Sequence, residues 1–225
     1  MTIRLDAVTV RFQERMILEN LSLSLSEKRI GLIGDNGSGK STFARLLNGL
    51  ILPDQGTVTV AGLDTKKDGA KVRSRVGFLF QNPDNQIVMP TVAEDLALGL
   101  KPLKLQAAAQ QEKVEDALAR FGISHLADRS AHLLSGGEKQ LVALAGVMIC
   151  NPDVLICDEP TTLLDRRNAS SVLEKINALE CQVIFVTHHL EHLENFDRVL
   201  WIERGHIQED GVPQDVIKAY GASFQ

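Results

Sequence analysis

At 225 residues, with 44% hydrophobic and 24% charged side chains, the chain is long enough to bury a substantial core as one large domain and has an ordinary globular composition. Its 24 basic against 29 acidic side chains leave a formal charge of −5, and no local run supplies the basic surface that a nucleic-acid binder needs. There is no signal-peptide core at Met1–Asp6 and no apolar stretch of membrane length, so the expectation is a cytosolic protein that a membrane complex can hold from one side. Cys150, Cys157 and Cys181 lack metal-type spacing and lie in apolar stretches, which predicts buried free thiols in a reducing compartment.

In chain order, Ile3 to Phe12 and Ile17 to Leu25 read as two strands joined by a polar turn around Gln13-Glu14-Arg15. Leu21, Leu23 and Leu25 alternate with Ser22, Ser24 and Ser26, the period of a strand with one wet face, as in antiparallel sheets. The apolar run Ile30-Gly31-Leu32-Ile33 then feeds Gly34-Asp35-Asn36-Gly37-Ser38-Gly39-Lys40-Ser41-Thr42, a glycine-rich loop that opens a helix. In that strand-to-helix context the G-x-x-x-x-G-K-[ST] pattern means phosphate binding. Glycines let backbone N–H groups approach phosphate oxygens, and the helix N-terminus favours their charge. Gly34, Asn36, Gly37, Ser38, Gly39 and Thr42 form the cradle, Lys40 supplies a point charge for the outer phosphates, and Ser41 offers a hydroxyl to Mg²⁺.

A helix through Phe43, Leu46 and Leu47 should end at Asn48-Gly49, and short strands at Thr57–Val60 and Val76–Phe80 flank a polar, hairpin-like stretch. From about Thr91 to Cys150 the pattern is almost entirely helical. Thr91-Val92-Ala93-Glu94 is a capping box, and Val114, Leu118 and Phe121 lie on one stripe of a helix over Leu105–Phe121. The expectation is a single domain over 1–225 in which a helical subdomain of about 82–150 interrupts an α/β core of 1–81 and 151–225. Within the helical part, Ser135 and Glu138 of Leu134-Ser135-Gly136-Gly137-Glu138-Lys139-Gln140 make a further capping box. Glycines at the next two positions, costing roughly 1 kcal/mol each in a helix, also leave donors open for an anion, and both readings stand.

Val154-Leu155-Ile156-Cys157 and Val183-Ile184-Phe185-Val186 are continuous apolar runs, as expected of parallel strands covered on both faces. Asp158 and Glu159 follow the first, at the strand end where ligands bind in open α/β sheets. Asp158 suits Mg²⁺, and Glu159 suits a base acting on water. Thr187-His188-His189 follows the second run, which brings His188 to the sheet edge shared by Lys40 and Glu159 as a γ-phosphate contact. Val199–Glu203, a turn at Arg204-Gly205, Gln208–Gly211 and a last helix from Pro213 close the domain and carry no chemistry of their own.

These pieces in this order resemble the ATP-binding cassette (ABC) ATPases over essentially the whole chain. The implied fold class is α/β: a P-loop NTPase core with an antiparallel β subdomain and an inserted helical subdomain. By the resemblance Gly34–Thr42 is Walker A, Val154–Glu159 is Walker B with its catalytic glutamate, and Leu134–Gln140 is the signature motif. Phe12 stands where an aromatic stacks on adenine, Gln81 where a glutamine approaches Mg²⁺ and the attacking water, Asp165 where the D-loop aspartate lies, and His188 at the switch histidine. The family then implies a head-to-tail dimer with two ATP molecules, in which Ser135, Gly136 and Gly137 of one copy cap the γ-phosphate on the other copy's Walker A. Glu138, Leu141 and the pair Leu163-Leu164 depart from the common pattern without removing a phosphate ligand or the base.

Phe80-Gln81-Asn82-Pro83-Asp84-Asn85-Gln86 is more particular, resembling the ATPases of energy-coupling-factor importers for vitamins and for cobalt or nickel. Without a C-terminal extension, and with Thr161-Thr162-Leu163-Leu164-Asp165, the chain is most similar to the compact subunits dedicated to biotin uptake. That resemblance implies ATP and Mg²⁺ as ligands, a peripheral place on the cytoplasmic face of the membrane, a transmembrane coupling protein and a substrate-binding membrane protein as partners, and no nucleic acid. Asp84, Glu94 and Asp95 are the acidic residues expected to meet the coupling protein. The alternatives are a cobalt or nickel importer, a soluble ABC ATPase acting on nucleic acid or ribosomes, and a small-molecule P-loop kinase, which has no use for the signature helix.

Overall fold

The computed structural model describes residues 1–224, which divide into two compact units: one of Met1–Gly77, Asp153–Glu159 and the segment from Cys181 on, the other of Phe78–Pro152 and Pro160–Glu180. The first unit holds an antiparallel sheet of β1 (Ile3–Phe12), β2 (Arg15–Leu25), β4 (Gln55–Val60) and β5 (Leu63–Asp64), in the order β2-β1-β4-β5. Leu21 and Leu25 of β2 are buried while Ser22 and Ser24 are exposed, as their alternation requires.

The other sheet of this unit contains β3 (Arg29–Ile33), β7 (Val154–Asp158), β8 (Gln182–Val186), β9 (Arg198–Glu203) and β10 (His206–Gly211), in the order β10-β9-β3-β8-β7, and β6 (Val76–Leu79) ends the order beyond β7. β3 runs parallel to β8 and β9, and β7 parallel to β8, while β10 returns antiparallel to β9. Every residue of β7 and β8 is buried, which explains why both read as unbroken apolar runs. The register pairs Val186 with both Leu32 and Asp158, so the ends of β3, β7 and β8 come level at one sheet edge.

Helix α1 (Lys40–Leu47) buries Phe43, Leu46 and Leu47 and stops at Asn48, as the Asn-Gly pair predicts. The polar stretch before β6 is not only a hairpin: it also forms α2 (Gly69–Arg75). This helix buries Val72 alone, and a single apolar anchor leaves no periodicity to read. The closing helix of the unit is α7 (Pro213–Ala222), with Pro213 in its first turn and Val216 buried.

The second unit is helical: α3 (Val92–Gly99), α4 (Ala107–Phe121), α5 (Gly136–Met148) and α6 (Arg166–Asn177). The capping box at Thr91 is formed, and α4 buries Val114, Leu118 and Phe121 on its one apolar stripe. Helix α5 buries Val142, Ala143, Leu144 and Ala145 in succession, the mark of a helix covered nearly all round.

The cysteines differ from the expectation. Only Cys157 is buried; Cys181 is half-buried and Cys150 is exposed, at the end of the segment after α5. Burial pushes the Cys157 thiol well up from its usual range, so it stays protonated and unreactive. No helix among the described residues is long and apolar enough to cross a membrane.

Candidate functional site

The level strand ends of the first unit carry the chemistry. After β3 the chain enters the glycine loop, where two glycines are required by geometry. Gly34 sits at φ 144°, and a Cβ there would overlap the Ile202 carbonyl of β9. Gly39, at φ 110°, is the N-cap of α1 without a side-chain cap, and a Cβ would collide with Leu18. The first amides of α1 are thus left for an anion.

Lys40 is 5% exposed, and its ammonium donates to the backbone carbonyls of Gly34 and Asp35, at 2.8 Å each. Burial lowers its pKa, opposed by Glu159, Asp35 and Asp158, whose charges help keep it cationic. Ser38 Oγ is buried without a hydrogen-bond partner among the described residues, an orphan polar atom inside the cradle. Ser41 Oγ donates to Asp158 Oδ1 at 2.9 Å, across the gap between α1 and β7. Burial pushes the Asp158 carboxyl up, while the Ser41 hydroxyl and Arg45, at 3.8 Å, pull it back.

Glu159 leaves the strand with φ 50°, a left-handed conformation that is costly for a residue with a side chain. Its amide still bonds Val186 O at 3.0 Å, so the backbone turns at Glu159 without breaking from the sheet. Glu159 Oε2 then meets His188 Nδ1 at 3.3 Å. The structure therefore brings Lys40, Ser41, Asp158, Glu159 and His188 together at one edge. Phe12 ends β1 with its ring 72% exposed, free to serve as a stacking surface. Just beyond it, a cavity of about 350 Å³ opens between Arg15–Ile17, Asp35–Ser38 and Glu203–Gly205.

The donor set suits Mg²⁺. A buried carboxylate beside a hydroxyl offers hard oxygens, the few protein ligands this ion takes when a triphosphate and water supply the rest. No group of three or more His, Cys, Asp or Glu side chains able to hold a metal occurs among the described residues, so the alternative of an all-protein cage is absent there.

The second unit carries Gln81, Ser135, Gly136, Gly137 and Asp165. Gln81 follows β6 and is exposed. Ser135 caps α5: its Oγ accepts from the Glu138 amide, and Glu138 accepts from the Ser135 amide at 2.7 Å. The capping box is real, and Ser135 and Gly136 remain exposed beside it. Gly137 is different. It is buried, and a Cβ there would overlap Asn168, whose amide and side chain both bond the Asp165 carboxylate at 2.9 and 2.8 Å. Asp165 is the N-cap of α6, held below the usual carboxylate range chiefly by the Asn168 amide. Gly137→Ala should therefore destabilise the protein by about 1–3 kcal/mol through overpacking. Thermal melting should show the loss, and Asn168→Gly, which removes the colliding atoms, should restore part of it.

Gln86 and Gln140 end the two quoted runs Phe80–Gln86 and Leu134–Gln140 but carry no assigned role there, yet they hold the segment after β6. Gln140, buried in α5, donates to the Phe80 carbonyl at 3.3 Å; Gln86 accepts from the Phe80 amide at 3.3 Å and donates to Ala143 O at 3.2 Å. Asn82 caps the Pro83–Asn85 turn, and Asp84 pairs with Lys139 at 2.7 Å. The Asn-Pro-Asp-Asn-Gln run thus fastens the Gln81 segment to helix α5. The three proposed acidic contacts are not free, because Asp84 has Lys139, Glu94 closes the Thr91 capping box, and Asp95 accepts from the amides of Val88 and Met89. Between Asp84–Pro90 and Ala131–Lys139 lies a groove of about 380 Å³. Beside it Val88 and Leu133 are 66% and 73% exposed, a more apolar rim than the acidic residues suggested.

The ABC transporter family model matches residues 18–162. An ABC transporter ATP-binding protein of Bartonella henselae is 50% identical over 97% of this chain and 96% of its own. The biotin transport ATP-binding protein BioM of Rhizobium etli is 47% identical over 98% of both chains. The solved structure of cbiO1 from Clostridium perfringens, part of the ABC transporter complex cbiONQ, superposes with a TM-score of 0.86 at 29% identity, over 97% of this chain and 91% of that one. A phosphate loop, a strand-end carboxylate pair and a capped glycine helix, joined to these likenesses, decide the matter: this chain belongs to the ABC transporter family, as an ATP-hydrolysing subunit.

Proposed function

We propose that the chain powers an energy-coupling-factor type importer and that the cargo is biotin. The carrying observation is the 47% identity to BioM over nearly the whole of both chains, together with the Asn-Pro-Asp-Asn-Gln run that resembles those importers. Two copies pair head to tail on the cytoplasmic side of a transmembrane coupling protein, which docks at the groove beside Val88 and Leu133.

In this reading the amides of Gly37–Thr42 and the Lys40 ammonium hold the triphosphate, and the adenine stacks on Phe12. Ser41 and Asp158 would hold Mg²⁺, and by resemblance Gln81 is a further candidate ligand. When bound, the ion offsets phosphate charge. Glu159 takes a proton from the attacking water at its carboxylate, and His188, at 3.3 Å, orients that carboxylate and reaches the γ-phosphate. Ser135, Gly136 and Gly137 of the second copy, with Asp165, complete the site, so hydrolysis waits on pairing.

The test is transport. The chain is co-expressed with its candidate coupling and substrate-binding membrane proteins, and uptake of labelled biotin, cobalt and nickel is measured in proteoliposomes with ATP inside and outside. ATP-dependent biotin uptake that vanishes with Glu159→Gln supports the assignment. Uptake of cobalt or nickel without biotin overturns the cargo, and sedimentation with RNA or DNA but not with the membrane proteins overturns the importer.

A further inference from the structure

The closing segment of the chain looked chemically idle in the sequence, yet it grips the phosphate loop at both ends. Gly205, in the turn between β9 and β10, donates its amide to Ser38 O at 3.1 Å. Tyr220, in the last turn of α7, donates its hydroxyl to Asp35 Oδ1 at 2.8 Å. The ring that delivers this hydroxyl is itself fixed, edge-on to Trp201 at 5.4 Å and to Phe224 at 4.9 Å between centroids. Trp201 lies opposite Ile33 in the sheet, one residue before the loop begins. Asp35 is the point where two contacts meet: its side chain accepts from Tyr220, and its backbone carbonyl accepts from the Lys40 ammonium.

We propose that Tyr220 is a positioning residue for the phosphate loop, acting through Asp35 to hold the Lys40 ammonium and the loop amides in their phosphate-receiving arrangement. A hydroxyl donating to a carboxylate makes a charge-assisted bond, stronger than a neutral one. Burial and the neighbouring Asp35 push the Tyr220 hydroxyl up to about 12, so it stays a donor at any working pH. A loop arranged before its ligand arrives does not spend binding energy on ordering itself, so the effect belongs on nucleotide affinity rather than on the chemical step.

The inference rests on the reading of Gly34–Thr42 as the triphosphate site, and the test separates the two. Tyr220→Phe keeps the ring contacts and removes only the hydroxyl. It should raise KM for ATP and the Kd for a non-hydrolysable ATP analogue about three- to tenfold, the worth of one such hydrogen bond, with kcat within about twofold of the parent. Asp35→Ala should raise both at least as much, since it also removes a charge that helps keep Lys40 cationic, and the double variant should be no worse than Asp35→Ala alone, because the Tyr220 hydroxyl acts through that carboxylate. Additive losses, an unchanged KM in Tyr220→Phe, or a fall in kcat alone overturns the proposal. Lys40→Ala in the same assay is the reference: lost binding there with unaltered Tyr220→Phe defeats this inference alone, whereas unaltered binding in Lys40→Ala defeats the loop reading and this inference with it.

Discussion

Replacing Glu159 by glutamine should lower the rate of ATP hydrolysis by about two to four orders of magnitude, the usual worth of a general base, and should leave ATP binding intact. The substitution keeps the shape of the side chain and the unusual backbone at φ 50°, because the strain lies in the main chain and is held by the bond to Val186 O. It removes the carboxylate that meets His188 at 3.3 Å and with it the proposed acceptor for the water proton. Phosphate release under saturating ATP measures the loss, and a nucleotide-binding titration checks that affinity survives. If the proposed pairing holds, bound ATP that is no longer consumed should let the paired form accumulate, and gel filtration with ATP and Mg²⁺ should show more dimer than the parent gives. A rate within tenfold of the parent would remove Glu159 from the chemistry.

Lys40→Ala acts on the other half of the problem. A hydrogen bond from a cation to a charged partner is worth about 1.5–3 kcal/mol, so loss of the ammonium should weaken triphosphate binding about 10- to 100-fold. The loop itself should largely survive, since the bonds from the Ser38 amide to Asp35 O and from the Gly205 amide to Ser38 O do not involve the lysine side chain. The carbonyls of Gly34 and Asp35 do lose their donor, so a modest drop in melting temperature accompanies the loss of affinity. The discriminating comparison is ATP against AMP. Affinity for AMP should change little, because Lys40 is assigned to the outer phosphates, and an equal loss for both would place the lysine elsewhere.

Much of this site was legible because its residues are local in sequence. The phosphate loop, the Asp158-Glu159 pair and Thr187-His188 each follow a short continuous apolar run of strand length, so their position at strand ends comes from the length and composition of those runs. The capping boxes at Thr91 and Ser135 are four-residue patterns, and both formed. Cys150 and Cys181 went the other way: apolar neighbours predicted burial, but residues at the ends of elements are covered only if something packs over them. Helix α2 was missed for want of a repeating apolar face, and Gln86 and Gln140 because an amide gives no hint of which distant backbone it will satisfy.

The sequence by itself determined the candidate residues proposed to cradle a triphosphate, hold a hard cation and activate water, since such candidates are picked out by residue type and short spacing. Only the tertiary structure decided how they are held. The left-handed turn at Glu159 is a backbone conformation, the burial of Gly137 against Asn168 is a long-range fit, and the grip of Tyr220 on Asp35 joins residues 185 positions apart. Such contacts are set by the register of the sheet and the packing of helices, which no local pattern encodes.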